Sequence, residues 1–268
     1  MRNRSAPGFS KTWPAAIVVG GVLVIAGAVV VGLATGLGPV SWGRLGVLLL
    51  AYLGAGIWAW RRRGDEAEAW LRTGGVMGSL LGVAGAVSLT AESLGVLRPP
   101  FNAFVPAAEM GTMVLLLGAA AAITLRQSHS VPRALLATLG SAVAGTSLIC
   151  AYGFFLQLAV LQPRGLGSLG NTVESAVEHL LIVPIVAVLA WAVATTATLV
   201  QQASRPAIRF ALAVLDVVLG MVGVRLLVVA ASLVRAQRPP FVMAGMLLTA
   251  TALACAPAVL RGFTAIRK

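Results

Sequence analysis

The sequence predicts an all-α integral membrane protein, a bundle of about eight transmembrane helices arranged as four in-out-in helical hairpins. Three observations lead there. The chain is 59% hydrophobic and only 10% charged, with a mean hydropathy of +0.94. A soluble chain of this length carries about a quarter charged residues, so the solvent for this much apolar surface is largely lipid. Apolar runs close to the roughly 20 residues needed to cross a bilayer recur along the whole length. Finally, the basic residues concentrate in alternate connections, as a positive-inside topology requires.

The first apolar run, 15–37, follows MRNRSAPGFSK. It exceeds the roughly 7–15 residues of a signal-peptide core, so it reads as a retained first span. The second, 42–60, follows the breaker-rich GLGPVSWG. The third, 74–96, follows RRRGDEAEAWLR, in which Asp65, Glu66 and Glu68 read as a charge-balanced, solvated turn. LRPPF introduces 102–125, RQSHSVPR introduces 134–161, and LQPRGLGSLG introduces 171–199. The last two spans, 207–233 and 240–261, follow QQASRP and RAQRPPF. Gly and Pro punctuate nearly every junction. The whole of 1–268 reads as one transmembrane domain, with no segment left for a soluble one.

Orientation follows from the cations. With both termini inside, fourteen Lys and Arg fall in inner stretches and five, Arg44, Arg98, Arg164, Arg235 and Arg238, in outer ones. Trp13, Trp58, Trp60 and Trp70 then fall at the inner interface and Trp42 at the outer. This places the chain in a plasma (cytoplasmic) membrane with both ends cytoplasmic. The formal charge of +12 comes from these short stretches, with no basic run or basic helix face between them. Nucleic acid is therefore not an expected partner. The bilayer is, together with either partner subunits or further copies of the chain.

An internal repeat is visible. LRPPF at 97–101 returns as QRPPF at 237–241, and Asn102 precedes Glu109 by the seven residues that separate Asn171 from Glu178. Gly74, Gly78, Gly82 and Ala86 recur every four residues, a small-residue stripe that lets helix backbones approach within the molecule.

Several chemistries are excluded. Cys150 and Cys255 each sit inside an apolar run and read as buried reduced thiols. His129 and His179 fall near opposite membrane faces, so they cannot ligate one haem within a subunit. The only lysines, Lys11 and Lys268, lie outside the spans, which removes a retinal Schiff base. Met110, Met113, Met243 and Met246 read as apolar filler rather than soft-metal ligands. No hydrolase, nucleotide-binding or zinc-protease signature is present, so no cofactor, metal or enzymatic activity is expected.

What remains is a set of charges in expensive places. Glu92, Glu109, Glu174, Glu178, Asp216 and Arg225 lie within predicted spans. Each ionisable group costs about 2.5–3.5 kcal/mol at a helix centre, which makes it a functional candidate. At 1.5 Å per residue the four glutamates lie within about 10 Å of the outer ends of their helices. Arg225 is about 12 Å from its own outer end, and Asp216 is nearer mid-membrane. Nine residues separate Asp216 from Arg225, which sets them on opposite faces of one helix.

Glu174 and Glu178 share a face, four residues apart. Asn171 reads as the helix N-cap with Glu174 at its third position, close to a capping box. Glu178 and Glu109 lie beyond the first turn, so each serves either a polar site or an ion pair with an arginine. His179 reads as a hydrogen-bonded interface residue beside the cluster.

The leading expectation is a transporter-like permease that binds a cation or proton on this outer-half cluster. Arg225 would act as counter-charge, Asp216 as an inner station, and Pro106 and Pro184 as sources of helix kinks. The alternative is a non-catalytic scaffold or accessory subunit whose acids bridge to arginines of this chain or of a partner.

Overall fold

The computed structural model describes residues 13–33, 39–61, 65–95, 105–202 and 221, and all regular structure among them is helical. The helices are α1 (Trp13–Leu33), α2 (Pro39–Arg61), α3 (Asp65–Ser93), α4 (Val105–Ser128), α5 (Val131–Leu156) and α6 (Leu169–Gln202). Beyond α5 the chain continues as a π-helical turn, Gln157–Leu161, and a 3₁₀ turn, Gln162–Arg164. The expected spans 207–233 and 240–261, and both copies of the RPPF loop, lie outside the described residues.

Among the described residues, five helical segments are long and apolar enough to cross a bilayer: Trp42–Arg61, Ala69–Ser93, Ala108–Ser128, Val131–Arg164 and Leu169–Thr198. A shorter apolar segment, Pro14–Val30, lies in α1. Large apolar side chains face outward along these helices, among them Leu23, Val47, Leu50, Val83, Val87, Leu115 and Ile185. Water would penalise such a surface, whereas hydrocarbon accepts it. The chain has the surface of a membrane protein.

Two compact units divide the chain, Met1–Val188 and Leu189–Lys268. Of the second, the described residues are the end of α6 (189–202) and Met221. The first unit is organised around α5. Its span is 61% buried, whereas the other spans are buried by no more than 33%. α5 packs against α3, α1 and α4.

A core forms where one face of α1 (Val18, Val22, Ile25, Ala28) meets one face of α2 (Trp42, Leu45, Leu49, Tyr52). Both sets follow the three-and-four spacing that gathers residues on one side of a helix. Phe154 and Cys150 of α5 and Val173, Ala176 and Leu180 of α6 complete it.

The small-residue stripe packs α3 onto α5, inside the molecule. A Cβ at Gly78 would stand 2.7 Å from the Ser141 carbonyl oxygen, and one at Gly145 would stand 2.9 Å from the Gly78 carbonyl oxygen. The two glycines therefore admit each other's backbones. Above this contact, Thr90 Oγ1 donates to the Ala86 carbonyl at 2.8 Å, so Tyr152 donates its hydroxyl proton to Thr90 Oγ1 at 2.6 Å.

Several boundaries differ from expectation for physical reasons. α3 begins at Asp65, nine residues before Gly74. The segment from Asp65 to Arg72 is therefore helical and not a solvated turn. Pro106 is the second residue of α4, where no intrahelical N–H bond is lost. It marks a helix start and not a kink. Pro184 does lie inside a helix.

α4 closes on His129, exposed and in the left-handed region at φ 48°, with its N–H on the Leu125 carbonyl at 2.8 Å. Trp58 and Trp60 are exposed, as interface residues are, but Trp42 and Trp70 are buried. Trp42 belongs to the core.

Candidate functional site

The sixth helix starts differently from the sequence expectation. Gly165 and Gly167 adopt φ of 68° and 70° and turn the chain back after α5. Ser168 then supplies the cap: the Asn171 N–H donates to Ser168 Oγ at 3.2 Å and the Thr172 N–H to the Ser168 carbonyl at 3.3 Å. The cap is therefore Ser168 and not Asn171, because Ser168 is the residue whose hydroxyl reaches the third free N–H. Glu174 becomes the sixth residue of α6, past the first turn, and it loses the capping role expected for it.

A polar crevice of about 240 Å³ opens where α3 and α5 end and α6 begins. Ser93, Gln157, Asn171, Thr172, Ser175 and His179 line it, over a floor that includes Cys150 and Ile149. Gln157 is the buried amide here, carried by the π-helical turn. Such turns re-aim a side chain by adding one residue to the helical ladder. Its Oε1 accepts from Thr172 Oγ1 at 3.4 Å. A Cβ at Gly167 would approach the same oxygen to 2.8 Å, so glycine there serves both the turn and the amide.

His179 enters this crevice in a defined orientation. Its Nδ1 lies 2.7 Å from the Ser175 carbonyl oxygen, one turn earlier on α6. A carbonyl only accepts, so Nδ1 carries a proton and donates it. In the neutral ring Nε2 then holds the lone pair.

Glu109 of α4 is half-buried in a second crevice, of about 260 Å³, with Ser88, Thr112, Met113 and Ile149. Ser88 Oγ is buried and close to the Glu109 carboxylate, yet it closes no hydrogen bond among the described residues. Ile149 contributes to both crevices.

The expected cluster therefore divides. Glu109 lines one crevice and His179 the other, and Glu92 is exposed and lines neither. Glu174 and Glu178 are exposed and line neither crevice. The sequence echo between Glu109 and Glu178 does not extend to their surroundings, half-buried for one and exposed for the other. No three His, Cys, Asp or Glu side chains are grouped to hold a metal ion among the described residues. Asp216 and Arg225 lie outside the described residues. Sequence reasoning missed Gln157, Ser88 and Ser175. Gln157 carried a usable signal, an amide inside the apolar run FFLQLAVL. Ser88 and Ser175 carried none, since serine is common in membrane helices.

No family model, curated protein or solved structure matches this chain.

Proposed function

We propose that the chain is a plasma-membrane permease that binds a proton or small cation at Glu109 and passes it by way of His179. In this reading the bundle has eight spans in four hairpins, with both termini cytoplasmic. The observation that carries it is the pairing of two crevices that share Ile149, one lined by a half-buried carboxyl on α4 and the other by a histidine on α6 whose ring is held in a defined orientation. An ionisable group is retained within a span at a cost, and it normally faces a polar path.

The chemistry is a proton exchange. Protonated Glu109 gives its proton to His179 Nε2, leaving a carboxylate and an imidazolium whose charges stabilise each other. Nδ1 stays anchored on the Ser175 carbonyl throughout, which holds the ring in place. Ser88 and Gln157 offer further polar atoms to a hydrated proton or small cation. Asp216 and Arg225 keep the roles expected of them, inner station and counter-charge.

Purified chain in pyranine-loaded liposomes, given a pH step with valinomycin and potassium, tests the reading. Wild type should collapse the gradient, Glu109→Gln should leave it as empty liposomes do, and Glu178→Gln should behave as wild type. Equal flux through wild type and Glu109→Gln contradicts the proposal.

A second reading rests on a different observation. Glu174 and Glu178 are exposed on one face of α6, near exposed Leu181 and Ile185. A carboxylate pair in an apolar face suits a partner helix that carries arginine, as an accessory subunit would require. Charge reversal at both positions should then release a co-purifying subunit without altering flux.

A further inference from the structure

We propose that the cation taken at Glu109 is a primary ammonium carried on a hydrocarbon body, seated in the crevice between α3 and α4. The proposal rests on the reading of Glu109 as a cation site and names the class of cation. The crevice has a volume of about 260 Å³, and its walls are α3, α4 and Ile149 of α5. Leu81, Val87, Met113 and Ile149 are its large apolar side chains. Among the described residues, the oxygen-bearing side chains that line it are Ser88, Glu109 and Thr112.

That lining discriminates between cations. A hard divalent ion takes six or more oxygen ligands, whereas one carboxylate and two hydroxyls supply at most four. The rest of the wall is hydrocarbon, which returns nothing for lost hydration. A water-sized ion needs only about 10–15 Å³ of such space, so it would leave most of the crevice unfilled. A primary ammonium has three N–H donors and no acceptor, which matches a carboxylate flanked by two hydroxyls. Its alkyl or aryl body then covers Leu81, Met113 and Ile149, where apolar burial adds to the hold and the thioether suits a ring.

Ser88 supports this independently of the carboxylate. Thr73, Ser79 and Thr90 of the same helix each donate to the carbonyl one turn back, at 3.0, 2.9 and 2.8 Å. Serine and threonine in apolar helices normally satisfy themselves in this way. Ser88 Oγ is buried and closes no such bond among the described residues. A buried hydroxyl without a protein partner marks a place for a ligand's polar atom. An ammonium N–H directed at Ser88 Oγ satisfies it while a second N–H meets the Glu109 carboxylate. Binding of R–NH3+ to protonated Glu109 forms this ion pair and releases one H+, so amine and proton compete for one site.

The test measures binding of tritiated phenylethylammonium to the purified full chain in detergent by equilibrium dialysis, with proton flux read on the same preparation in liposomes. Saturable binding is expected. Three competitors each remove one feature: phenylethanol lacks the charge, the trimethylammonium analogue lacks the N–H donors, and ammonium chloride lacks the hydrocarbon body. Unlabelled phenylethylammonium should displace the label at least about tenfold more effectively than any of them, the worth of one hydrogen bond to a charged group. Ser88→Ala should weaken binding by about the same factor, and Glu109→Gln should abolish it. The competitor series needs no variant, so it stands even where a variant fails to fold. Equal displacement by phenylethylammonium and by any one of the three competitors overturns the proposal, as does undiminished binding to Glu109→Gln. Absence of saturable binding to a wild type that carries Glu109-dependent proton flux overturns this proposal alone. Glu109-dependent binding to a wild type without proton flux supports the amine site and overturns the permease reading.

Discussion

The Tyr52 hydroxyl on α2 donates a hydrogen bond to the Leu180 carbonyl on α6 at 3.0 Å, in the buried core. Leu180 stands four residues before Pro184, which lies inside α6 and has no N–H to offer. The proline leaves that carbonyl without its helical partner, and a hydroxyl from a neighbouring helix takes the place. In hydrocarbon no water can do so, and this is how membrane helices tolerate proline.

The relationship predicts a coupled pair of substitutions. Tyr52→Phe should destabilise the bundle by about 1–3 kcal/mol, the cost of an orphaned buried acceptor. Pro184→Ala returns an N–H to α6, so Tyr52→Phe should cost clearly less in that background. Thermal unfolding in detergent of the two single variants and the double variant checks this. Equal cost in both backgrounds would show that the bond does not answer the proline.

A second prediction concerns the approach of α3 to α5. Gly78→Val places a branched side chain against the Ser141 carbonyl, where even a Cβ would stand at 2.7 Å. Overpacking of this kind costs about 1–3 kcal/mol or more. Gly20→Ala is the control, because nothing lies within 4 Å of the added carbon. Monodisperse yield on size exclusion should fall for the first and hold for the second.

The polar crevice predicts a third. Gly167→Ala strains a backbone held at φ 70° and pushes on Gln157 Oε1. A non-glycine residue in that region costs about 1–3 kcal/mol. Part of the strain should be relieved by moving Gln157, so proton flux should fall while the protein stays folded by circular dichroism. Gln157→Leu should reproduce the flux loss without the strain.

Much of the architecture could be read from the chain alone, because long apolar runs report a bilayer-crossing helix whatever their neighbours do. Helix ends were harder. The D-E-A-E segment joined α3 rather than a loop, and Ser168 took the cap from Asn171 because the preceding glycines set the turn. Among the candidate residues, the cost of charge in lipid marked Glu109 together with five other intramembrane charges. The same argument could not separate it from Glu178, since depth along a helix does not say which face a residue takes. Facing depends on packing partners, and those are a property of the whole fold. Gln157 is the clearest case: its burial follows from a π-helical turn that no local pattern announces.

The central claim is that Glu109 and His179 act as one unit. Proton flux in the liposome assay should be measured for Glu109→Gln, His179→Asn and the double variant. The account predicts that Glu109→Gln and the double variant lose flux to the same extent, because the second change removes a group with no partner left. A His179→Asn protein, or a Glu109→Gln protein, that conducts as wild type does would contradict it.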